Sequence, residues 1–171
     1  MRPSIFILLS FLIVIACAER PSNLEKNDPN LVHFPEVSEP IQLVDNDKEH
    51  LYASYYGINS FSANQRYATV LETDIVDRLP TEEDEATLGL VDLETMEFKP
   101  LTTTKAWNFQ QGCMAHWLAS SPDSLIIYND LREGAFVSII MNVHTQEEIK
   151  TIPHPISAVS PDGKKAVSIN F

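Results

Sequence analysis

The chain has 171 residues, 44% of them hydrophobic, which is enough for one packed domain of ordinary size. Its 12 basic and 24 acidic residues leave a formal charge of -12, which argues against nucleic acid, whose phosphates select basic surfaces. Cys17 and Cys113 are the two cysteines, too few for a disulfide framework or a cysteine-based metal site.

Residues 1–16 read as a targeting segment. Arg2 supplies a short positive start, and residues 5–16 form a nearly unbroken apolar run. That run is shorter than the roughly 20 residues a helix needs to span a bilayer. Val14-Ile15-Ala16-Cys17 resembles a bacterial lipobox. The resemblance implies lipid transfer to Cys17, cleavage after Ala16 and a stable anchor in the cell-envelope membrane, each buried CH₂ contributing about 0.8 kcal/mol. Loss of Arg2 leaves 11 basic against 24 acidic residues, a formal charge of -13. Residues 17–40 lack hydrophobic periodicity, are rich in Pro, Asn, Glu and Ser, and read as a flexible tether. The folded part is expected over residues 41–171, with Ile41-Gln42-Leu43-Val44 as a possible edge strand.

A repeated hairpin organises the rest. Its clearest copy is Val159-Ser160-Pro161-Asp162-Gly163-Lys164-Lys165-Ala166, two strands about a turn whose Asp-Gly tolerates positive φ. An earlier copy covers residues 61–70 with Asn64-Gln65 at the turn, and a middle one covers residues 117–128 around Ser121-Pro122-Asp123-Ser124. The first two copies are each followed by a second hairpin, over residues 88–101 and 137–152. Their turn segments Asp92-Leu93-Glu94-Thr95 and Asn142-Val143-His144-Thr145 lie fifty residues apart. Four short strands per 40 to 50 residues, with no helical periodicity, predict an all-β chain of propeller-like blades.

The Ser-Pro-Asp-Gly-Lys hairpin, paired with an apolar strand ending in Asp-Leu-Glu-Thr, resembles the repeat of TolB-like β-propellers over residues 50–171. The first copy has Ala63-Asn64-Gln65 where that repeat has Pro-Asp-Gly, and the middle copy lacks the glycine. The resemblance implies a partial, truncated propeller of about two four-stranded blades plus the start of a third. A half-propeller closed by oligomerisation is the other expectation, because repeat arrays need neighbours to cover their ends. A distant relative in that superfamily is oligogalacturonate lyase, a metal-dependent polysaccharide lyase. No stretch here matches its metal-ligand cluster.

Up-and-down topology puts the loops at residues 73–86, 102–112, 129–134 and 153–155 on one face, and the tight turns on the other. Binding residues concentrate on loops held by a rigid scaffold, so the loop-rich face is where a ligand is expected. Trp107, Asn108, Gln110 and Gln111 combine aromatic and amide groups that suit sugar rings, although Trp107 and Phe109 would equally fill the seam between blades. Asp130 and Arg132 either face ligand or pin their loop, and His154 is placed on the same face. The acidic loop 74–85 reads as a cation or lid loop or as a solvated charge run, with Glu82-Glu83-Asp84 after Thr81 able to open a short helix. His116 and Cys113 read as buried side chains, and His144 as an exposed turn residue. No catalytic or metal-ligating set emerges, and no cofactor is indicated.

These features predict a lipid-anchored protein of the bacterial cell envelope, its partners the membrane through Cys17 and a carbohydrate or envelope protein. The propeller would serve as a ligand-binding or interaction module. The alternatives are a polysaccharide-active enzyme resembling oligogalacturonate lyase and an envelope scaffold.

Overall fold

The computed structural model describes residues 37–169. The leader, the lipobox cysteine Cys17 and most of the tether lie outside the described residues. A compact unit begins at Pro40. Among its described residues ten strands follow one another without a helix. Strands β1 (Glu49–Tyr52), β2 (Tyr67–Thr73), β3 (Ala86–Asp92) and β4 (Glu97–Thr104) form one antiparallel meander. Strands β5 (His116–Trp117), β6 (Leu125–Arg132), β7 (Ala135–Asn142) and β8 (Glu148–Ile152) form a second of the same order. A hairpin of β9 (Ala158–Val159) and β10 (Ala166–Val167) follows.

The first and last turns of the repeat match bond for bond. In the first turn Ser62 Oγ donates to Asn64 Oδ1, Arg66 N–H to the same oxygen, and Tyr67 N–H to Ser62 Oγ. In the last turn Ser160 Oγ donates to Asp162 Oδ1, Lys164 N–H to that oxygen, and Lys165 N–H to Ser160 Oγ. Gln65 takes the left-handed position of Gly163, with φ of 60° against 69°. Asn therefore substitutes for Asp as the side-chain staple, and the departure from Pro-Asp-Gly leaves the turn intact. The middle turn is two residues longer and closes differently: Leu118 N–H donates to the Leu125 carbonyl, and Leu125 N–H to that of Ser121.

The second hairpins match as well. Glu94 N–H donates to Asp92 Oδ1 and Met96 N–H to the Asp92 carbonyl; His144 N–H donates to Asn142 Oδ1 and Gln146 N–H to the Asn142 carbonyl. Met96 and Gln146 share a φ near 60°.

Two expectations are corrected. Residues 41–44 form no strand: Ile41 is exposed, and Gln42 bonds locally to the Val44 carbonyl. Phe61 contributes only one bridge, to Ala68, while β1 occupies the same edge of β2 further along, with Tyr52 opposite Val70. The chain leaves the edge between these points, and Ala53 is drawn across to the second sheet. There the Ala53 carbonyl accepts the N–H groups of Cys113 and Ala115.

Alternating inward residues of the two sheets make the main core, with Leu71, Leu88, Ile126, Tyr128 and Ile139 fully buried. A smaller cluster of Met114, Leu118, Ile127 and Ile156 takes in Val159 of the hairpin. Gly112 sits at the closest approach. Its φ is +56°, and a Cβ there would lie 2.3 Å from the Ala53 carbonyl carbon. Gly134 also has positive φ, but open space around it. Gly134→Ala is expected to cost about 1 kcal/mol of backbone strain, and Gly112→Ala distinctly more, as read by urea denaturation. Equal costs would show that the Ala53–Gly112 contact is not tight.

Candidate functional site

The meander topology puts the β2–β3, β4–β5, β6–β7 and β8–β9 connections at one end of the sheets. At that end a cleft of about 210 Å³ opens between the 105–112 segment and the 155–157 segment, with Phe136 and Asn129 contributing from the second sheet. Trp107, Asn108 and Gln111 line it, together with Lys105 and Met114. Gln110 is exposed outside this lining.

Local bonding shapes the first wall. Asn108 Oδ1 accepts the N–H groups of Gln110 and Gln111, while Asn108 and Gly112 exchange both backbone hydrogen bonds. The tight loop so formed turns Gln111 toward the cleft lining and uses up the Asn108 carbonyl oxygen. Trp107 is 8% exposed, packs in the main core and meets Phe109 edge-to-face at 5.5 Å. Its indole N–H donates to the Asp84 carbonyl at 3.1 Å. Trp107 is thus chiefly a seam residue with one side at the cleft.

The second wall hangs on Asn129. This buried side chain donates to the Ile156 carbonyl at 2.9 Å and accepts the Ile156 N–H at 2.7 Å, a two-point clamp on the 155–157 backbone. Ser138 Oγ adds a bond to the His154 carbonyl at 2.5 Å. His154 itself is exposed and does not line the cleft.

Asp130 and Arg132 lie elsewhere. They belong to β6, not to a loop, because the 129–134 stretch is strand up to Arg132 and then a two-residue turn at Glu133-Gly134. Both φ values there are positive, 52° and 78°, as a type I′ hairpin requires. Asp130 is buried, pairs with Arg132 Nε and accepts the Lys105 N–H at 3.1 Å. Arg132 also reaches Glu148 at 2.7 Å. The pair therefore fastens β4 to β6 and holds the first residue of the cleft loop. The two residues line a separate shallow depression with Thr103 and Lys105.

The acidic loop is held by its own salt bridge and contains no helix. Arg78 grips Asp84 with two bonds of 2.6 and 2.7 Å, and Asp84 accepts the Thr81 N–H and hydroxyl. The Arg78 guanidinium, followed by the Thr81 bonds, holds the Asp84 carboxyl well below the usual carboxylate range. Among the described residues no group of three or more His, Cys, Asp or Glu is arranged to hold a metal ion. Burial pushes the Cys113 thiol up to about 12, so it stays protonated and unreactive at neutral pH. His144 is exposed but tied, its Nε2 3.0 Å from the Asp123 carbonyl.

Sequence reasoning placed the loops 102–112 and 153–155 at this end but did not single out Lys105, Phe136 or residues 156–157 as cleft walls. A buried asparagine on a strand, Asn129, carried the available signal, since such a side chain needs partners. No protein-family model, curated protein or solved structure matches the chain.

Two outcomes follow from this bonding. Asn129→Leu strands the Ile156 N–H and C=O and is expected to cost about 3 kcal/mol in urea denaturation; a change below about 1 kcal/mol would show that the clamp is dispensable. Asp84 has a depressed folded pKa, so its contribution is present above the ordinary carboxylate value of about 4 and is lost as pH falls through the depressed one. In a Trp117→Phe background, Trp107 emission should hold steady down to about pH 4 and change only in stronger acid. Asp84→Asn should show the changed emission at neutral pH.

Proposed function

We propose that this chain is a cell-envelope lipoprotein whose sheets are blades of a TolB-like β-propeller and serve as a ligand-binding module. Its site is the loop-end cleft, and its ligand is a carbohydrate or a protein segment carrying polar groups. The observation that carries this reading is the convergence of the 105–112 and 155–157 segments on one cleft, each fixed by its own hydrogen bonds. Rigid walls favour binding, because little side-chain freedom remains to be lost when a ligand enters.

The cleft offers a mixture suited to a polar ligand with an apolar face. Phe136 and Met114 supply apolar surface, Gln111 a carboxamide and Lys105 a cationic stem. The same four-strand order in both sheets, and the turn bonds shared by the first sheet and the last hairpin, support the propeller reading. The lipobox supports the anchor.

The decisive experiment pairs fractionation with binding. The full-length chain should partition with membranes and Cys17→Ala should not; a variant that stayed membrane-bound would remove the anchor. An array of envelope glycans and a panel of envelope proteins would then be probed with the wild-type chain and with Gln111→Ala. Binding weakened about tenfold or more by Gln111→Ala places the ligand in this cleft, and equal binding by both chains excludes it.

A further inference from the structure

A second and larger cleft lies at the opposite end of the sheets. Its volume is about 500 Å³, in the range of small-ligand sites. It is built by the turn ends of all three repeated units, with Phe61 and Ala63 from the first, Trp117 and Pro122 from the second, and Val159 and Pro161 from the third. Each unit thus contributes its innermost strand or the turn that follows.

Three properties set this cleft apart. First, none of its thirteen lining residues is Asp, Glu, Lys or Arg, in a chain whose formal charge is -12. Charged ligands find no counterion there, and burial of a charge without one is costly. Second, the wall offers aromatic and proline faces. The Trp117 indole N–H is spent on the Ser60 carbonyl at 2.9 Å, which fixes the ring; one side of it packs against the main core, and the residue also lines the cleft. Phe61 is 41% exposed, and the Tyr55–Tyr56 pair, with centroids 4.9 Å apart, adjoins the lining residue Gly57 in the chain. Third, polar capacity remains at hand. Asn59 accepts the Phe61 N–H through Oδ1, which leaves its amide N–H groups for a ligand, whereas the Ser160 hydroxyl on the third wall is committed to Asp162 and Lys165 within its own turn. His116 forms part of the lining, 9% exposed, and its buried Nε2 has no hydrogen-bond partner among the described residues. Burial disfavours its protonation, so the lining stays uncharged there too.

We propose that this turn-end cleft is a binding site for an uncharged saccharide, with one ring stacked against Phe61 and Trp117. A pyranose presents C–H groups on its faces, which match the aromatic walls, and hydroxyls at its edge, which match the Asn59 carboxamide. An acidic sugar lacks a cationic partner here and is disfavoured. The site is independent of the loop-end cleft and of the lipid anchor.

The test is a titration of the full-length chain with cellobiose and with maltose, and with digalacturonate as the acidic counterpart. Binding is followed by the indole N–H resonance of Trp117, assigned through Trp117→Phe. A saturable shift with a neutral disaccharide is expected, none with digalacturonate, and an affinity about tenfold lower for Phe61→Ala. Phe61→Leu keeps the bulk and removes the aromatic face, so it gives the same weakening if the alanine variant does not fold. Gln111→Ala leaves the titration unchanged. The proposal is overturned if neither neutral sugar shifts Trp117, if digalacturonate binds as well as they do, or if Gln111→Ala abolishes the shift while the Phe61 variants keep it.

Discussion

The whole arrangement depends on how closely the two sheets approach at Ala53. Its carbonyl accepts two N–H groups, from Cys113 at 3.1 Å and Ala115 at 3.0 Å, and the neighbouring Ser54 hydroxyl donates to the Ala115 carbonyl. Backbone can meet backbone only where side chains are small, and Ala53, Cys113 and Ala115 are all fully buried. Gly112 completes the contact by having no side chain at all. The 105–112 loop folds back at one end, and the aromatic residues from Tyr55 to Phe61 are carried to the other.

The buried polar side chains fit the same logic. Asn129, Asp130, Ser138 and Thr104 lie inside yet are satisfied by backbone or by one another. Thr104 Oγ1 donates to the Asn129 carbonyl at 2.8 Å, and Lys105 N–H donates to Asp130. One strand of the second sheet therefore anchors the end of the first sheet and, through Asn129, the segment leading to the third hairpin. Such a network favours one register over its neighbours, because a slip would leave each of these groups buried without a partner. Cleft walls that hang on it inherit its rigidity.

Charge is distributed in a way that separates the two clefts. The basic side chains Lys48, Arg66, Arg78, Lys105 and Arg132 are engaged with carboxylates. Lys105 belongs to the loop-end cleft, whereas the turn-end cleft has no ionised side chain. The long-range field of an acidic protein acts on both, but only one offers a cation at short range.

Sequence alone determined the all-β class, the four-strand units and their turns. Hairpin chemistry is local: Ser62 with Asn64, Asp92 with Glu94 and Asn142 with His144 bond within a few residues of each other. The apolar run 137–143 likewise announced a strand of the second hairpin. Tertiary structure decided what local rules cannot reach. It placed Asp130 and Arg132 on a strand as a fastening between sheets, left His154 outside the cleft, and made Trp107 a seam residue bonded to Asp84. It also broke the first inner strand, because the contact of Ala53 with residues sixty positions away outweighed continuous pairing along β2. Contacts between units follow from how the sheets stack, and stacking depends on the sizes of side chains that no single stretch of sequence brings together.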